Sequence, residues 1–123
     1  MLIFDIVGAT IGTFYNIEKS LLIVEKCFFI SNICDFGCAL NFEHKGGYAY
    51  VIDSFFDRNR IPTHPMGAGS IIKLSGDMTT KVIIIRILAK NTYSFGTGLF
   101  GIFQGNLTDI NSTYISINVL FLT

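Results

Sequence analysis

Hydrophobic and polar residues alternate most tellingly over residues 81–90, K-V-I-I-I-R-I-L-A-K. The stretch is rich in β-branched residues, which pack well on a pleated surface. Sorted by the strand period of two, one face carries Lys81, Ile83, Ile85, Ile87 and Ala89. The other carries Val82, Ile84, Arg86, Leu88 and Lys90. The first reads as a core face. The second is too apolar for open water and too charged for a dry interior, which suits a sheet packed against its own core and a neighbouring subunit.

The same reading runs along the chain. Apolar stretches at 1–7, 11–17, 21–30, 38–43, 48–56, 70–74, 79–90, 93–104 and 113–122 are separated by turn signals. His44-Lys45-Gly46-Gly47 has the composition of a hairpin turn. Residues 57–69 hold both prolines, Pro62 and Pro65, and read as a loop; residues 105–112 read as a polar loop. In the last strand Ile115, Ile117, Val119 and Phe121 fall on one face and Tyr114, Ser116 and Asn118 on the other. No helix is required. The expectation is a single all-β domain over residues 1–123, a jelly-roll-like antiparallel β-sandwich of about 8–10 strands.

Composition sharpens the picture. Half of the residues are hydrophobic and 15% are charged, against roughly 25% charged in average domains. A chain of 123 residues cannot easily hide so much apolar surface alone, so burial between copies of itself is expected. Formal net charge is zero with no basic block, which argues against nucleic-acid binding. Asp5, Glu18, Lys19 and Arg86 interrupt the apolar runs before any reaches the roughly 18 residues of a membrane span. A basic region of the signal-peptide type is missing from the N-terminus, so a soluble chain without its own export signal is expected.

Chemistry is sparse. Cys27, Cys34 and Cys38 give no disulfide framework, and Cys34-x-x-x-Cys38 would need two more ligands to hold a metal. Cys34 or Cys38 with His44 or His64 is the only conceivable nucleophile–base pair, and no catalytic signature surrounds it. Neither enzyme, cofactor nor metal is expected. Asn106-Leu-Thr108 and Asn111-Ser-Thr113 match the glycosylation pattern but read as turn residues.

The densest polar cluster, Asp57-Arg58-Asn59-Arg60 followed by Thr63-His64, is a candidate partner-binding loop, with Arg forks and an Asn amide suited to a receptor or glycan. Tyr48 and Tyr50 share a strand face and could stack on a sugar or pack at a subunit axis. Val82, Ile84, Arg86, Leu88, Leu120 and Leu122 are the candidate subunit interface.

One resemblance adds to this reading. The stretch Gly69-Ser70-Ile71-Ile72-Lys73-Leu74-Ser75-Gly76-Asp77 is followed by a long strand over 82–89, and Ser112-Thr113-Tyr114 opens the last strand. Over about residues 67–122 the chain resembles C1q/TNF-like jelly-roll heads, including those on viral and phage fibres. The glycine that often follows the aromatic is replaced by Ile115 and Ser116. The resemblance implies a trimeric, non-enzymatic receptor-binding head, a particle component. Two other readings fit the same greasy strands: a barrel carrying a small apolar ligand, and a self-assembling shell or lattice protein.

Overall fold

The computed structural model describes residues 3–4, 12–15, 21–33, 39–43, 46–61, 71–95 and 99–120. These residues are all-β. The strands are β1 (Ile3–Phe4), β2 (Gly12–Tyr15), β3 (Leu21–Glu25), β4 (Phe28–Ile30), β5 (Leu40–Glu43), β6 (Tyr48–Ile52) and β7 (Phe55–Asp57). They continue as β8 (Arg60–Ile61), β9 (Ile72–Ser75), β10 (Lys81–Ile85), β11 (Leu88–Phe95), β12 (Phe100–Gln104), β13 (Asn106–Ile110) and β14 (Thr113–Leu120).

Every recorded pairing is parallel, and the antiparallel sandwich expected from the alternation is not what these strands build. They form three sheets, β1-β4-β7-β11-β14 with β8 beside β11, β3-β6-β10-β13, and β2-β5-β9-β12. The chain visits the sheets in rotation, so each turn lays its strands on those of the turn before. This is a three-sided parallel β-solenoid. We call the first the long sheet, the second the tyrosine sheet and the last the third sheet.

The register stacks residues in columns. Leu21, Tyr48, Lys81 and Asn106 form one; Val24, Val51, Ile84 and Asp109 form another. Between the sheets lies the core, with Val51, Phe56, Leu74, Ile84 and Ala89 fully buried. Phe29 and Phe56 lie one above the other, rings 4.8 Å apart and 7° from parallel. Each of the Val, Leu, Ile and Phe side chains withdrawn from water contributes about 1.5–3 kcal/mol.

Two columns of left-handed residues bend every turn at the same places. One is Lys26, Asp53, Arg86 and Asn111, with φ of 53°, 47°, 52° and 54°. The other is Ser31, Arg58, Asn91 and Ser116, with φ of 58°, 55°, 50° and 54°. Few non-glycine residues adopt this conformation, and here its cost is outweighed by the pairing on either side. The corner amides stay bonded: Lys26 N–H donates to Ile52 O, Asp53 N–H to Ile85 O and Arg86 N–H to Ile110 O.

These corners overturn the reading of residues 81–90 as one strand. Arg86 is the bend between β10 and β11, and a single left-handed residue shifts the side-chain alternation by one. Val82 and Ile84 point inward before it, Ile87 and Ala89 after it. Ser116 does the same in β14, where Ile115 is exposed although it was expected to share a face with Ile117. The stretch 105–112, read as a loop, is mostly β13, because Asn106–Ile110 completes the ladder beside β10. Gly46 and Gly47 do have positive φ, but the chain they turn leads from β5 in the third sheet to β6 in the tyrosine sheet, not back along a hairpin.

Candidate functional site

Two outward surfaces stand out. The first is a groove of about 380 Å³ on the long sheet, lined by Ser31, Ile33, Arg58, Arg60, Asn91 and Tyr93. Its walls are two neighbouring columns. Ser31, Arg58 and Asn91 are the left-handed residues of successive turns. Ile33 pairs with Arg60, and Arg60 with Tyr93. The bend between the columns makes the surface concave.

The column between these walls turns inward and holds the bend. Asn32 and Asn59 are fully buried. The Asn32 side-chain amide donates to Asn59 Oδ1 at 2.6 Å, and the Asn32 backbone N–H reaches the same oxygen at 3.3 Å. Asn59 Nδ2 in turn donates to Phe29 O at 2.8 Å. Buried amides need such partners, and these tie one turn to the next.

At the groove rim Asp57 is taken up by its own neighbours. Arg58 Nε donates to its Oδ2 at 2.9 Å and Asn91 Nδ2 to its Oδ1 at 3.0 Å. Arg58 and Arg60 are exposed, Tyr93 is half-buried, and Lys90 sits with its Nζ 5.3 Å from the Phe55 ring. Of the two groove arginines, Arg58 is thus ion-paired with Asp57.

The second surface is the outer face of the tyrosine sheet. It presents Leu21, Ile23, Tyr48, Tyr50, Ile52, Ile83, Ile85 and Ile110, with Leu21 at 65% and Ile23 at 57% exposure. Tyr48 and Tyr50 stack at 6.4 Å, and Lys81 Nζ lies 5.5 Å from the Tyr48 ring. Four paired strands of about five residues make a flat face of roughly 300 Å², the scale of the largest apolar patch on a typical monomer, which is often functional.

The polar cluster read as one loop divides between these environments. Arg58 and Arg60 reach the groove; Asp57 is nearly buried behind it; Asn59 is an interior ladder residue and does not face a partner. Tyr48 and Tyr50 sit on the other surface, and His64 lies outside the described residues. The proposed interface residues also divide. Val82 and Ile84 belong to this chain's own core. Arg86 grips Asp53 of the same chain, Nε to Oδ1 at 2.7 Å and Nη2 to Oδ2 at 3.0 Å. That hydrogen bond is the main reason the Asp53 carboxyl titrates below its usual value. Leu88 lies half-buried on the outer face of the long sheet; Leu120 is in β14, and Leu122 lies outside the described residues.

Ser31, Ile33, Asn91 and Tyr93 escaped notice in the sequence, as did Leu21 and Ile23. They become neighbours of the noted residues only when turns stack. Cys34, Cys38 and His44 lie outside the described residues; among those described, no three His, Cys, Asp or Glu residues cluster to hold a metal, and no helix is long and apolar enough to cross a membrane. At the C-terminal turn Tyr114 donates its hydroxyl to Asp109 Oδ2. Burial first, then that bond, raises its pKa, so the phenol stays protonated.

No family model, curated protein or solved structure matches the chain. Of the stretch that opens the C1q/TNF-like resemblance, Ile72–Ser75 form β9, which pairs in parallel with β5 and β12; Gly69 and Ser70 lie outside the described residues.

Proposed function

We propose that this protein is a non-enzymatic, structural module that associates with copies of itself through the outer face of the tyrosine sheet. The observation that carries the reading is the row of exposed Leu21, Ile23, Tyr48 and Ile110 on one regular sheet face. The covering partner is taken to be a second copy because the face is flat, its one Lys and one Glu (Lys81 and Glu25) cancel in charge, and the chain has no net charge to keep copies apart. The trimeric state and viral setting belong to the C1q/TNF-like resemblance and travel with this proposal as its expected form.

The patch is smaller than the roughly 800 Å² per partner of a standard interface. Association through it alone is therefore concentration-dependent. The carrier alternative draws no support from an interior filled by the Phe29–Phe56 stack, Val51 and Ile84.

Size-exclusion chromatography with light scattering tests the proposal. The expected result is a mass above 13.7 kDa that falls on dilution, and a monomer for Ile23→Glu. A wild-type protein that stays at 13.7 kDa up to high concentration refutes it.

A further inference from the structure

Resting on the self-association read from the tyrosine sheet, we propose how two copies sit there: they pair about a two-fold axis through Tyr50, with Lys81 of each copy on the partner's Glu25.

The register makes the outer face a grid. Across β3, β6 and β10 its first column is Leu21, Tyr48 and Lys81, and its third is Glu25, Ile52 and Ile85. Between them lie Ile23, Tyr50 and Ile83. Lys81 and Glu25 are exposed and are the two charged residues of the face. They stand at opposite corners, two strands and four residues apart, or about 16 Å by strand spacing and rise. That is too far for an ion pair within one copy. Arg86, just beyond the end of β10, is already held by both carboxylate oxygens of Asp53. Tyr50 is the midpoint of the diagonal, one strand and two residues from either charge.

A surface that meets its own copy must match itself, so that residue i touches j wherever j touches i. Two sheets laid face to face with Lys81 opposite the partner's Glu25 leave a single in-plane axis, and it passes over Tyr50. The same axis sets Ile23 against the partner's Tyr48 and Ile83 against the partner's Ile52. Apolar groups therefore meet apolar groups around a central pair of Tyr50 rings. The two ion pairs lie at the corners, where opposite charges fix the register and like charges reject a wrong one. A contact of this kind closes at two copies, and a trimer would need a second surface.

Sedimentation velocity on the full chain tests the pairing with Lys81→Glu, Glu25→Lys and an equal mixture of the two; circular dichroism confirms that each variant is folded. Alone, each variant sets like charges together. Each is expected to associate about tenfold more weakly than wild type, the effect of reversing two exposed ion pairs. In the mixture every corner again joins opposite charges, and affinity is expected to return to near the wild-type value. Added salt weakens the wild-type pair. If the wild type self-associates but the mixture does so no better than either variant alone, the two-fold pairing is overturned while the covering of the face stands. A wild type that stays at 13.7 kDa overturns both.

Discussion

Asn59→Ala tests whether the interior ladder holds the turns together. The side chain is fully buried and makes three hydrogen bonds, from Asn32 N, from Asn32 Nδ2 and to Phe29 O. Each bond is worth roughly 0.5–1.5 kcal/mol, and a buried group left without its partner costs about 1–3 kcal/mol. Alanine removes all three at once and brings no replacement. The expected loss is about 3–4 kcal/mol, a large share of a domain's usual 5–15 kcal/mol. Urea denaturation followed by circular dichroism measures it, and the thermal midpoint should fall by roughly 10–15 °C. Asn32→Ala and the double variant complete a cycle. The Asn32 Nδ2 bond to Asn59 Oδ1 is lost in either single variant, whereas the Asn32 backbone N–H bond is lost only with Asn59. The double variant should therefore lose about 0.5–1.5 kcal/mol less than the sum of the single losses. A loss below about 1 kcal/mol for Asn59→Ala, or simple additivity, would refute the ladder as a structural tie.

Three further outcomes follow from the backbone and the carboxylates. Gly105 has φ of 120°, and an added Cβ would lie 3.0 Å from Leu74 Cδ2 and 3.3 Å from Thr80 O; Gly105→Ala should cost about 1–3 kcal/mol by chemical denaturation. Lys26 is an exposed left-handed residue, so Lys26→Asn should raise stability by several tenths of a kcal/mol while Lys26→Val lowers it by about 1–2 kcal/mol. Asp53 and Asp77 both titrate below the usual 3.8, Asp53 chiefly through its hydrogen bond from Arg86 and Asp77 chiefly through that from the Thr79 hydroxyl. Their contribution is present above pH 3.8 and is lost as pH falls through the lowered folded values. Stability measured from pH 7 downward should therefore keep this contribution until below about pH 4, and Asp53→Asn with Asp77→Asn should flatten the acid slope.

The sequence by itself determined the local character of this protein: strands of β-branched residues, turns at glycines, polar residues at regular breaks. Alternation in Lys81–Ile85 reports that one face is buried, but it is the same whether the neighbouring strand runs parallel or antiparallel. Direction was decided only in three dimensions, by which strands meet. The turns that bring Leu21, Tyr48, Lys81 and Asn106 into one column are of unequal length, so no fixed repeat was legible. The left-handed bends at Arg86 and Ser116 carry no glycine to announce them, and each silently exchanges inside for outside. For that reason Val82 and Ile84 looked like an interface and are core, while Ile83 and Ile85 looked like core and lie outward. Arg58 and Arg60 were visible as a polar cluster, yet their groove partners Asn91 and Tyr93 lie a full turn further along the chain. Stacking of turns alone makes them neighbours, because a parallel ladder sets side by side residues that the sequence keeps far apart.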